Sequence, residues 1–135
     1  MKKSLPIILN LIFIGLLAFH FSILFGLIPY DIVWGGKLNS KEEMISFELV
    51  SISLNLFFLW ISLQIAGWVK IILNRKTIQI ILWIMGILFL INTLGNLASE
   101  NSLETMIFTP MTAFLSLACI YIARTQYGSE KLNNS

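Results

Sequence analysis

Apolar residues fill four long blocks of this chain, at positions 5–28, 49–69, 78–98 and 105–123, and most charged residues fall between or beyond them. A helix rises about 1.5 Å per residue and the hydrocarbon core of a bilayer is about 30 Å thick, so about 20 apolar residues cross it. Each block comes close to or exceeds that length. The pattern predicts an all-α membrane protein, a four-transmembrane-helix bundle of up-down topology. It forms one integral domain over residues 1–135, with spans at about 5–28, 45–69, 78–98 and 105–123. A membrane barrel is excluded because its strands alternate over about ten residues instead of running apolar for about twenty.

Composition narrows the class further. With 57% hydrophobic and 12% charged residues, a soluble globule of this size would expose apolar surface on every side. The start Met1-Lys2-Lys3 has the form of a signal peptide, but the apolar stretch runs on to Ile28, too far for a cleaved signal, so it is expected to remain as the first span. If the spans alternate, Lys2, Lys3, Lys70, Arg75, Lys76, Arg124 and Lys131 lie on one side, and Lys37 and Lys41 on the other. Basic short loops stay in the cytoplasm, so both termini are expected there, in a multi-pass protein of the cell membrane. The net charge of +2 is then a topology signal and implies no nucleic-acid partner.

The connections carry helix starts and anchors. Ser40 with Glu43, and Asn101 with Glu104, have the spacing of a capping box, so the second helix should begin near Ser40 and the fourth near Ser102. Gly35 and Gly36 mark a turn. Tyr30 and Trp34 should float at the outer headgroups, Trp68 and Tyr121 at the inner ones. Pro110 removes a donor to the Met106 carbonyl and should kink the fourth helix mildly.

Helical periodicity sorts the polar residues into faces. Thr105, Thr109, Thr112, Ser116, Cys119 and Ala123 form a small-residue stripe on the fourth helix, read as a packing seam or as a path lined by hydroxyls. Gly15, Ala18, Ser22 and Gly26 form another on the first, and the two are expected to meet. The second helix carries Glu48, Ser51, Asn55 and Ser62 on one face, and the third carries Asn92, Asn96 and Ser99. With His20, most of these belong to the outer half of the membrane, giving a bundle polar toward the outside and sealed toward the cytoplasm. Candidate ligand-binding residues are therefore Glu48, Asn55, Asn92, Asn96 and His20. Glu48 is either a wet interfacial carboxylate or a buried functional one, expected opposite Asn92 or Asn96. His20 is either a packing residue or the titrating partner of Glu48.

The loop Ile32-Val33-Trp34-Gly35-Gly36-Lys37-Leu38, the helix start from Glu43 to Glu48, the run Asn92-Thr93-Leu94-Gly95-Asn96 and the run Phe108-Thr109-Pro110 together resemble small bacterial four-span integral membrane proteins of uncharacterised function. The resemblance covers nearly the whole chain and implies a location and an architecture without naming a substrate. Small multidrug transporters are also four-span, but their essential carboxylate lies in the first helix, and here that helix has none.

With one cysteine, one histidine and no HExxH, GxSxG or P-loop pattern, the sequence offers no metal site, cofactor or catalytic residues. The expected function is a non-enzymatic structural or accessory bundle in the lipid bilayer, able to self-associate as a homo-oligomer. One alternative is an outward-facing binding or transport protein for a small or lipid-like ligand. The other is a membrane enzyme acting on a lipid, with Glu48 and His20 as acid and base.

Overall fold

The computed structural model describes residues 4–127. Four helices long and apolar enough to cross a membrane carry the chain. They are α1 Ser4–Leu24, α2 Lys41–Ala66, α3 Arg75–Leu97 and α4 Thr109–Thr125, the last preceded by one π-helical turn at Glu104–Phe108. No strand occurs among the described residues. Leu11, Val50, Ile87, Leu94 and Leu117 are all more than half exposed, so apolar side chains point outward from every helix. That is the architecture of a multi-pass membrane protein, because only lipid leaves such a surface without cost. Lys2, Lys3 and Lys131, which the charge partition uses, lie outside the described residues.

Helix ends are fixed by side chains of the types the sequence offers. Ser40 Oγ accepts the Glu43 N–H at 3.1 Å and starts α2, while the Glu43 carboxylate reaches back one residue further than expected, to the Asn39 N–H at 2.9 Å. Asn74 Oδ1 caps α3 through the Thr77 N–H at 2.9 Å. Gly67, at φ 77°, ends α2 in a left-handed conformation open to glycine. Helical geometry resumes at Ser102 as expected, but Glu104 does not complete a capping box with Asn101.

Packing pairs α1 with α2 and α3 with α4. The two hairpins meet over a shared core that includes Leu9, Phe13, Phe58, Ile61, Leu82, Met85, Phe89, Leu115 and Cys119. The small stripe of α4 is buried at Thr112, Ser116, Cys119 and Ala123, as a packing seam requires. It faces α3: Ser116 Oγ donates to the Gly86 carbonyl at 2.7 Å, and a Cβ on Gly86 would lie 2.6 Å from Ile120 Cγ1. Only glycine permits that approach. The expected meeting of this stripe with the one on α1 does not occur. Gly15, Ala18 and Gly26 are exposed, and nothing lies within 4 Å of where a Gly15 Cβ would stand. Instead α1 turns Leu9, Phe13, Leu16 and Leu17 inward, because the space between the hairpins is wide enough to need large side chains.

The connections cluster at two ends. The α1–α2 loop touches the α3–α4 loop through the Asn101 amide, which donates to the Ile32 carbonyl. At the opposite end Arg75 donates to the Gln126 carbonyl and lies over the Tyr127 ring. These are the loop end and the terminal end of the bundle. Trp68 and Tyr121 are exposed at the terminal end, in keeping with an interfacial role.

Candidate functional site

At the loop end Glu48 is fully buried on α2. Its carboxylate is 2.7 Å from His20 Nδ1 on α1 and accepts the Trp34 indole N–H at 2.8 Å. Indole nitrogen can only donate, so Glu48 is the acceptor there. With Glu48 as carboxylate, His20 donates through Nδ1 and keeps Nε2 for another partner. Of the two sequence readings of Glu48 the buried one holds, but its expected placement opposite Asn92 or Asn96 does not. Because α1 and α2 form the tight pair, the carboxylate finds donors on α1 and in the loop before any group of α3 comes within reach.

The loop itself is wound tightly. Trp34, Gly35 and Gly36 have φ of 56°, 67° and 68°. Glycine adopts this at little cost, whereas for a tryptophan the left-handed region costs about 1–2 kcal/mol. Two latches hold it there: Trp34 to Glu48, and the Gly35 N–H to the Glu104 carboxylate at 2.9 and 3.0 Å. Trp34 was expected only as a headgroup anchor, and the structure makes it a bridge between loop and bundle.

Glu104 reaches this place through the π-helical turn. In an ideal helix Thr105 would share a face with Thr112 and Glu104 would lie well to the side. One extra residue in the turn rotates everything before it by about 100°, so Glu104 takes the inward position. Glu104 is accordingly 8% exposed, while Thr105 is half-buried and its hydroxyl is spent on backbone carbonyls near the α3–α4 loop. The turn sits directly before Pro110, whose missing N–H was expected to disturb this stretch, and the wider bond runs from the Thr109 N–H to the Glu104 carbonyl.

These groups surround a cavity of about 160 Å³. Phe58 and Phe89 form its floor, their centroids 5.5 Å apart and braced from below by Phe13. The Phe19–Phe108 contact, at 4.8 Å, closes the side between α1 and α4, and Trp34 and Val33 form the roof. The polar wall is His20, Ser51, Asn55, Asn92, Asn96, Glu104 and Thr112. Leu54 on α2 and Asn92 on α3 both line the cavity and are exposed, which places the mouth between those helices, facing sideways.

One wall residue carries an unpaired buried atom. Asn55 is 8% exposed; its Nδ2 donates to the Ser51 carbonyl at 2.9 Å, but its Oδ1 has no hydrogen-bond partner. Asn96 donates weakly to Thr112 Oγ1 at 3.4 Å, and Thr93 donates to the same hydroxyl at 3.0 Å. Four of the five sequence candidates, His20, Asn55, Asn92 and Asn96, thus line one cavity, with Glu48 behind His20 and Trp34. Glu104 and Trp34 were missed. No group of three or more His, Cys, Asp or Glu side chains suited to a metal ion occurs among the described residues. Comparison with family models, curated proteins and solved structures finds no match to this chain.

Proposed function

We propose that this protein binds a small lipid-like amphiphile, admitted sideways from the bilayer between α2 and α3 and held by its head in the loop-end cavity. The single observation that supports this most is the lining of the cavity, where the polar side chains of His20, Asn92, Asn96 and Glu104 meet Phe58 and Phe89 and the exposed Leu54 and Asn92 leave a way in between α2 and α3. A structural or accessory bundle of the kind the sequence suggests would fill this space with its own side chains. An enzyme acting on a lipid would use the Glu48–His20 pair as an oriented base, but binding asks only for the groups already described. The cation partition makes the loop end the outer one, so the ligand would come from the outer leaflet of the cell membrane. The resemblance to small bacterial four-span proteins agrees with this placement and adds no ligand.

Dodecanol is a suitable probe, with a hydroxyl for the polar wall and a tail that can remain in the mouth. Saturable binding to the protein in phosphatidylcholine nanodiscs, above that of empty discs, is expected. It should disappear in Ser51→Phe, which fills the cavity, while the thermal melt keeps its cooperativity. Uptake no greater than in empty discs would end the proposal.

A further inference from the structure

Resting on that binding reading, we infer that the head group the cavity takes is an ammonium, that of a long-chain amine, with Glu104 as its counter-ion. Glu104 is a carboxylate on the cavity wall whose only protein donor among the described residues is the Gly35 N–H, shared between its two oxygens. A carboxylate can accept about four hydrogen bonds, so most of its capacity is unused by the described residues. Among the described residues the one salt-bridge contact is His20–Glu48, and no Lys, Arg or His nitrogen lies within 4 Å of the Glu104 carboxylate. A buried charge at membrane depth is costly unless something pairs with it, and no Lys or Arg stands in the wall.

The other walls suit the same guest. Asn92 and Asn96 also line the cavity, and their side-chain carbonyl oxygens are of the type that accepts from an ammonium with three donors. Phe19, Phe58, Phe89, Phe108 and Trp34 line the remainder, and aromatic faces attract a desolvated cation. The ammonium could also belong to a phospholipid head such as phosphatidylethanolamine. That source is disfavoured because its phosphate would enter beside Glu104 with no basic side chain to receive it.

The test measures dodecylammonium, dodecanol and dodecanoate binding to the protein in phosphatidylcholine nanodiscs at neutral pH, each against empty discs. Dodecylammonium should bind about tenfold or more tightly than dodecanol, as expected for hydrogen bonds to a charged partner, and dodecanoate should bind least. Glu104→Gln still accepts the Gly35 N–H, so it should remove the preference for the ammonium over the alcohol. Equal affinity for amine and alcohol, or a preference that survives Glu104→Gln, overturns the inference while leaving the binding reading standing. Failure of all three probes sinks the binding reading itself. Displacement of dodecylammonium when phosphatidylethanolamine is added to the discs would assign the ammonium to a phospholipid head and overturn the free-amine assignment.

Discussion

Replacing Glu48 by Leu and by Gln separates what its carboxylate does from what its volume does. The carboxylate meets two groups, His20 Nδ1 at 2.7 Å and Trp34 Nε1 at 2.8 Å, and is fully buried. Leucine leaves the indole N–H and the imidazole without partners. Hydrogen bonds to a buried charged group are worth about 1.5–3 kcal/mol each in water-soluble proteins, but interhelical ones in membranes average about 0.6 kcal/mol, because the unfolded chain in lipid finds partners too. Two bonds therefore bracket the loss at about 1–6 kcal/mol. The loop should loosen as well, since Trp34 holds a left-handed φ of 56° partly through this contact. Glutamine behaves differently: its oxygen can accept from Trp34 while its amide donates to His20 Nδ1 in the other tautomer. Only the charge assistance is lost, about 1 kcal/mol. Unfolding by dodecyl sulfate in mixed micelles, followed by helical circular dichroism, should rank wild type above Glu48→Gln above Glu48→Leu. A Glu48→Leu protein as stable as wild type would show that the buried pair contributes nothing and refute the reasoning.

Three other outcomes follow from the packing and the charge pattern. Ser116→Leu should destabilise by about 1–3 kcal/mol in the same titration, because Ser116 lies against Gly86, whereas the exposed Phe114→Leu should be near neutral; equal effects would remove the α3–α4 seam. Asn10 is fully buried on α1 with neither side-chain polar atom hydrogen-bonded, so Asn10→Leu should be neutral or stabilising by about 1 kcal/mol, and a loss above that would mean the amide has a partner. In a Cys119→Ala background, cysteine at Asn39 should react with an impermeant thiol reagent added outside intact cells and cysteine at Asn74 should not; the reverse labelling would invert the orientation.

How much could be read in advance differs between the elements. Block length alone delimits α3 closely, because nothing but a helix satisfies a backbone in lipid over that distance, whereas α1 ends at Leu24, about a turn before the apolar block does at Ile28. Asn55, Asn92 and Asn96 were legible as a site because amides on apolar helices stand out at helical spacing. Glu104 was not, since its distance from Asn101 fits a capping box, and regular periodicity puts Thr105 on the inner face. Only the π-helical turn exchanges the two, and its sequence signal is no more than Pro110 following it. The direction of the small stripe on α1 was equally hidden: Gly15 and Ala18 mark a possible close approach, and nothing local says whether another helix takes it up.

Where an amphiphile sits in the bundle is the most direct measure of a binding cavity at the loop end. Trp34 lines the cavity, while Trp68 lies exposed at the opposite end, so two variants, one keeping only Trp34 and the other only Trp68, report the two ends separately. In phosphatidylcholine nanodiscs, 2-bromododecanol, whose bromine lies beside the hydroxyl, should quench Trp34 saturably, and excess dodecanol should reverse it. Trp68 should be quenched only in proportion to the bromide dissolved in the bilayer. Quenching of Trp34 that never saturates and tracks that of Trp68 would contradict a binding cavity at the loop end.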